Sequence, residues 1–420
     1  MSAFVYRGGE LCAEGRSAAG LADEFGTPLY VYSRRALLDR HGELARAFAE
    51  FDPLVCFSVK VNSNLSVLRA LAGAGCGFDI VSGGELFRVL RAGGDAGKVC
   101  FAGVGKTDAE IDQALRAGIR LFTVESVPEL EVISARAGAL GVAARAALRV
   151  NPNVNANTHA HVTTGTAEVK FGLAPEVAGE VLAAPGRYPG AVLDGLHVHI
   201  GSQITEPEPY VAALSRLAPL YERYRSAKVP LEHIDIGGGF GIDYRSGQAK
   251  PIVYFASAMA PHLRRIGARL VMEPGRYIAG NSGVLLARVT YVKRTAARRF
   301  VIVDAAMNDL IRPALYGAFH AIWPATADGP PPAFGGAAEG LSTADVVGGV
   351  CESGDFFGKG IPLPEVARGD LVAIFSAGAY GFTMSSNYNS RPRAAEVLVD
   401  GDKVALARKR ETYEDLVRGE

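Results

Sequence analysis

The chain has little with which to grip a polyanion, cross a membrane or cross-link itself. Its 44 Lys and Arg are matched by 44 Asp and Glu, so it lacks the cationic surplus by which proteins hold nucleic acid or an anionic membrane surface. No apolar run approaches the ~20 residues that span a bilayer. Five cysteines (Cys12, Cys56, Cys76, Cys100 and Cys351) are odd in number and carry no paired metal spacing. With no secretory leader read ahead of them, reduced thiols in a cytoplasmic protein are expected rather than a disulfide framework or a zinc module. Small-molecule chemistry remains, in 420 residues that exceed a usual single domain and predict a large domain plus a second.

From about residue 55 a short apolar strand, a turn and an amphipathic helix recur. Eight strands are read: Val55–Lys60, Gly77–Ser82, Val99–Val104, Leu121–Glu125, Ala147–Asn151, Leu196–Ile200, His233–Gly237 and Leu270–Glu273. Helical spacing of apolar residues lies between them, as over Leu65–Gly73, Asp108–Ala117 and Tyr210–Ser226. Eight strand–helix units predict an α/β fold with a closed (β/α)₈ TIM-like barrel, over 36–279. After Gly280 strand-like runs are separated by loops, and Asp400-Gly401-Asp402 marks a hairpin. Residues 280–420 therefore predict a mainly β domain, to which residues 1–35 add strands through Pro28–Tyr32. The Gly-, Pro- and Ala-rich stretch 325–340 reads as a mobile loop.

Barrel enzymes place their chemistry at the C-terminal ends of the strands. Those ends carry Lys60, Asp79, Arg149, His199, the run Gly237-Gly238-Gly239 and Glu273. Taken singly, Asp79 reads as a turn cap and His199 as a core histidine, the glycines could form only a tight turn, and Lys60 is as much a side chain that snorkels into water as a desolvated amine. Taken together they fit one cofactor. Pyridoxal 5′-phosphate needs a lysine for its aldehyde, backbone donors for its phosphate, a flat partner for its ring and a carboxylate at its pyridine nitrogen. Lys60, at the end of an apolar run where burial disfavours the ammonium, is the expected Schiff-base nucleophile. The glycines let the backbone approach the phosphate, His199 can stack with Ser202 beside it as a phosphate donor, Glu273 suits the ring nitrogen, and Arg276 adds fixed positive charge.

The segments SVKVNSN (58–64), GFDIVSGGEL (77–86), FAGVGKT (101–107), HIGSQI (199–204), IDIGGGFGI (234–242), EPGRYI (273–278), MNDLIRPALYGAFH (307–320), CESGDFFGKG (351–360) and GAYGFTMSSNYNSRPR (378–393) run in order over nearly the whole chain. In these the sequence resembles the diaminopimelate decarboxylases, of the alanine-racemase-like class of pyridoxal-phosphate enzymes. The resemblance implies decarboxylation of meso-2,6-diaminopimelate to L-lysine and CO₂, the last step of lysine biosynthesis. It implies Lys60 as the covalent anchor, His199 as the stacking ring, Gly238, Gly239, Gly275 and Arg276 around the phosphate, and Glu273 at the ring nitrogen, with Asp79, Ser202, Pro274 and Tyr380 completing the cofactor's surroundings. Substrate would meet Arg276, Arg312, Tyr316, Glu352 and Tyr380. Cys351, the implied proton donor, and Glu352 would come from the second subunit of a homodimer with shared active sites.

Two departures stand out. The loop Thr158–Gly165 has Ala160 and His161 where the family has a His-Pro-Tyr pattern, and Gly349 replaces a common proline. Three other readings stay open on the residues. The pairs His159 with His161 and His197 with His199 match alternate strand positions of a metal site, although no metal is expected because the remaining strand ends hold glycine and lysine. A non-catalytic pyridoxal-phosphate carrier could share the barrel, and a related decarboxylase for ornithine, arginine or carrier-linked glutamate could share every cofactor residue.

Overall fold

The computed structural model describes residues 3–154, 170–226, 229, 231–244, 249–331 and 340–420. The atypical loop 158–165 and residues 332–339 of the glycine- and proline-rich stretch lie outside them. The chain divides into two units, one of 40–241 and 250–277 and the other of 1–39, 242–249 and 278–420.

The first unit is a closed barrel of eight strands: β1 (Leu54–Ser58), β2 (Gly77–Ile80), β3 (Val99–Phe101), β4 (Leu121–Val124), β5 (Ala144–Arg149), β6 (Ala191–His197), β7 (His233–Asp235) and β8 (Arg269–Met272). Each pairs in parallel with its sequence neighbour, and β8 closes on β1. The alternation of side chains along each strand sorts this sequence into two layers. Phe57, Phe78, Phe101 and Phe122 are fully buried against the surrounding helices, and burial of each such ring stabilises the fold by about 1.5–3 kcal/mol. The intervening residues point inward, where Cys56, Cys100, Leu121, Ala147 and Val271 form an apolar plug. One layer further along the strands the interior turns polar, with Ser58, Asp79, Thr123, His197 and Asp235 all buried.

Two of the recurring motifs build the scaffold. In GFDIVSGGEL, Ser82 caps the helix Gly83–Arg91 by accepting from the Glu85 amide. In FAGVGKT, the fully buried Lys106 ammonium donates to Glu129 Oε1 at 2.6 Å and to the carbonyls of Gly103 and Thr123 at 2.8 Å. The observed strands mostly stop one or two residues short of the expected ends, because the backbone turns toward the barrel mouth there. Lys60 thus lies in a 3₁₀ turn, Val59–Val61, just beyond β1.

The second unit is mainly β. A nine-stranded sheet has the long strand Gly283–Arg294 near its centre, antiparallel to both Leu29–Ser33 and Arg299–Val303. Leu29–Ser33 also pairs in parallel with Ala395–Asp400, so the N-terminal segment supplies an inner strand and not an edge. Its five residues are all buried, with Leu29 and Val31 in a core shared by Leu21, Val284, Leu286 and Val397. The hairpin at Asp400-Gly401-Asp402 joins Ala395–Asp400 to Lys403–Arg408, with Gly401 in the left-handed region that the turn needs. No helix among the described residues is long and apolar enough to cross a membrane.

Candidate active site

At the mouth of the barrel, the residues that end or follow β1, β2, β6, β7 and β8 converge. Glu273, one residue past β8, is buried; its Oε2 lies 3.1 Å from His197 Nε2 and its Oε1 has no partner. Burial opposes its charge, but His197, and then the Lys60 ammonium, hold its pKa down at about 2. An ionised carboxylate oxygen with no donor, inside a protein, is an acceptor awaiting a cationic N–H.

Lys60 was expected to be desolvated, and here the structure differs. Its position one turn beyond the strand leaves the side chain 43% exposed, while its neighbour Asp79, with Oδ2 3.6 Å from the amine, has no exposure. Burial, and next the charge of Glu273, push the Asp79 pKa up to about 7 against the opposing pull of Lys60. Ser58 Oγ donates to Asp79 Oδ2 at 2.7 Å and lies 2.9 Å from the Glu273 carbonyl oxygen, a donation that, like Lys60, favours the charged form against burial. Asp79 is a buried carboxyl group beside Lys60, not a turn cap; Ser82 takes the capping role.

This has a consequence for stability. A carboxyl group raised from about 3.8 to about 7 on folding makes the folded state bind more protons across that window, so its contribution to stability is lost as pH rises through it. The cofactor-free protein should lose less melting temperature between pH 5 and pH 8 as the Asp79→Asn variant than as wild type. Identical losses would show that Asp79 is already ionised at pH 5.

The glycine run follows β7. Gly237 and Gly239 have φ of +64° and +100°, which side chains rarely tolerate, and a Cβ on Gly238 would lie 2.2 Å from the Glu273 carbonyl oxygen. At Gly275 a Cβ would meet Val61 Cγ2 at 2.3 Å, so the Pro274-Gly275 backbone packs directly on the lysine turn. The Gly238 amide donates to His199 Nδ1 at 3.1 Å, which fixes the ring with its proton on Nε2. Burial first, then Arg149 and Lys60, lower the His199 pKa well below the usual histidine value. His199 is thus a neutral ring at the mouth, not an enclosed core residue. Arg276 donates from Nη2 to Ser202 Oγ at 3.0 Å, which brings a buried guanidinium and a hydroxyl to the same rim. Arg149, at the end of β5, is bound by Glu125 at 2.6 Å.

The metal reading of the histidine pairs takes a different form. His197 and His199 turn to Glu273 and to the Gly238 amide respectively, and His159 and His161 lie outside the described residues. Possible ligand atoms of His197, Asp235 and Glu273 do lie within 4.8 Å of one another, as do those of Asp194, Glu232 and His233. In the second group Asp194 is already bound by Arg145 at 2.7 Å and by His233 at 2.9 Å.

In the β unit, Arg312 opens the short helix Arg312–Tyr316 and is buried, with Nη1 2.7 Å from His320 Nε2 and its guanidinium 5.2 Å from the centre of the Tyr244 ring. Cys351 and Glu352 are exposed; the Cys351 amide donates to Asn389 Oδ1 at 3.3 Å, and Tyr388 donates to Glu352 at 2.9 Å. Tyr380 has a φ of +55°, a conformation costly for an aromatic residue. Sequence reasoning passed over Ser58, Asp235 and the role of His197. Their signal was present as inward positions of the last polar layer, one strand residue in from the barrel mouth.

Comparison with known proteins decides the family. Residues 34–280 match the model of the pyridoxal binding domain of pyridoxal-dependent decarboxylases. Over 424 residues, covering 100% of this chain and 99% of the relative, the sequence is 48% identical to diaminopimelate decarboxylase of Pseudomonas fluorescens. The chain belongs to the diaminopimelate decarboxylases. Among solved members of that family, the Helicobacter pylori enzyme complexed with L-lysine superposes with a TM-score of 0.89 at 39% identity, covering 95% of this chain and 98% of that one. The M. jannaschii diaminopimelate decarboxylase, in co-complex with L-lysine, gives 0.91 at 35% identity over 98% and 96%. The barrel residues fit the family's cofactor, as the partnerless Glu273 Oε1 and the backbone cradle at Gly237–Gly239 indicate.

Proposed function

We propose that this chain removes the carboxylate of meso-2,6-diaminopimelate at one end, with pyridoxal phosphate, and releases L-lysine and CO₂. The observation that carries this reading is the 48% identity spread over the full length, because the barrel alone would serve any decarboxylase of the class. Pyridoxal phosphate, when bound, supplies the electron sink for the carbanion left by loss of CO₂. Lys60 supplies the amine that anchors it. Glu273 Oε1 would accept from the ring N–H and keep that nitrogen protonated, and His199 would offer the flat partner for the ring. The backbone at Gly238, Gly239 and Pro274-Gly275, with Ser202 and Arg276, would hold the phosphate, and Asp79 and Tyr380 would complete the surround.

The substrate carries an ammonium and a carboxylate at both ends, so one end must be held while the other reacts. Arg312 and Arg276 suit carboxylate through paired N–H donors, Glu352 suits an ammonium, and Tyr316 and Tyr380 add hydroxyl contacts. Cys351 protonates the carbon after CO₂ has left. Cys351 and Glu352 act in the site of a second subunit, so the working form is a homodimer with shared sites. The five free cysteines fit a cytoplasmic protein. Protein loaded with pyridoxal phosphate should convert meso-diaminopimelate to L-lysine and CO₂ in equal amounts; CO₂ without lysine would refute the assignment.

Cys351→Ala should lower kcat by about 100-fold, within the range usual for removing a general acid, with KM changed by less than about threefold, since the proton is needed only after CO₂ departs. Mixed dimers of Lys60→Ala and Cys351→Ala protomers should regain activity, because each heterodimer rebuilds one intact site. Verified heterodimers with no regained activity would confine Cys351 to its own chain or remove it from the chemistry.

A further inference from the structure

His197 lies beneath the proposed cofactor site, fully enclosed at the end of β6. Its Nε2 is 3.1 Å from Glu273 Oε2, and its Nδ1 has no partner. Since a carboxylate only accepts, the Nε2 atom carries the proton and donates. That donation occupies one Glu273 oxygen and leaves Oε1 as the one without a hydrogen-bond partner. Asp235, which pairs with His197 across β6 and β7, is also enclosed. Its Oδ1 accepts from the Gly237 amide at 2.8 Å and its Oδ2 has no partner. Burial, followed by the charges of Glu273 and Cys100, drives its pKa well above the usual carboxylate range, which makes it a weaker competitor than Glu273 for the His197 proton.

We propose that His197 is a positioning residue that donates to Glu273 Oε2 and so presents Oε1, alone and ionised, to the pyridine nitrogen. This rests on the pyridoxal-phosphate reading of the site and goes beyond it. Glu273 would otherwise be free to rotate, to bind the ring nitrogen through either oxygen, or to take up a proton in its dry surroundings. A gripped carboxylate loses those alternatives, which is what a preorganised site requires.

The test compares His197→Gln, whose side-chain amide can reach and donate to Glu273 Oε2, with His197→Leu and His197→Asn, which remove the donor or leave it too short. Apoprotein is reconstituted with pyridoxal phosphate, and cofactor affinity, the absorption spectrum of the lysine-bound cofactor, kcat and KM are measured beside melting temperature. Leu and Asn should shift the spectrum, weaken cofactor binding about tenfold and lower kcat by 10–100-fold with little change in KM, the size expected for loss of one charge-assisted hydrogen bond. Gln should restore most of all three. The proposal is overturned if Leu and Asn keep the wild-type spectrum and cofactor affinity, or if Gln is as impaired as they are while equally stable. Should Leu fail to fold, the contrast between Gln and Asn decides. Cofactor affinity and spectrum are independent of substrate identity, so an error in the assigned substrate would show only as wild-type protein inert toward diaminopimelate.

Discussion

Lys60→Ala should lower turnover by at least about 10⁴-fold and abolish the absorption band of lysine-bound cofactor. A covalent anchor has no partial substitute, and losing a nucleophile of this kind costs several orders of magnitude in rate. The geometry explains why no other side chain takes over. Lys106 is the other lysine of the barrel motifs, but its ammonium is fully buried and committed to Glu129 and two carbonyls. Spectroscopy and reductive trapping with borohydride check the result together. A reducible lysine adduct persisting elsewhere in the variant would remove Lys60 from its proposed role.

The second large effect is expected at Glu273. Glu273→Gln should keep the cofactor, because Lys60 and the phosphate cradle are untouched, yet lose decarboxylation by on the order of 100-fold or more, as when a preorganised charge at a reacting centre is removed. A neutral amide cannot hold the ring nitrogen protonated. Its effect should separate from that of Cys351→Ala in the spectrum, which Glu273→Gln shifts before any substrate is added. Turnover near wild type with an unchanged spectrum would contradict the role.

Much of this was legible in the sequence, for physical reasons that can be named. The barrel could be counted because each parallel strand is buried on both faces and reads as an apolar run, with helical spacing between runs. Strand ends were less exact, since the last residues before the mouth trade ladder hydrogen bonds for contacts such as Gly237 N–H to Asp235, which no local pattern reveals. The inner placement of Leu29–Ser33 depends on partners more than 250 residues away, Gly283–Tyr32 and Ala395–Leu29 among them. Within the site, Lys60, His199 and Glu273 announced themselves as chemical groups at strand ends. Exposure did not: Lys60 reads as a desolvated group, whereas the fold buries Asp79 and leaves the Lys60 side chain 43% exposed. His197 and Asp235 stayed hidden because a buried histidine or aspartate within a strand reads as core until its partners are seen.

The central claim is that these residues serve decarboxylation of meso-diaminopimelate in particular. It is tested most directly by measuring CO₂ release by the cofactor-loaded protein from meso-, LL- and DD-diaminopimelate, ornithine and arginine under identical conditions. The account predicts that kcat/KM for the meso isomer exceeds that for ornithine and arginine by at least 100-fold, since those substrates lack the second carboxylate that a guanidinium such as Arg312 would bind. Comparable or faster release from ornithine or arginine would contradict it.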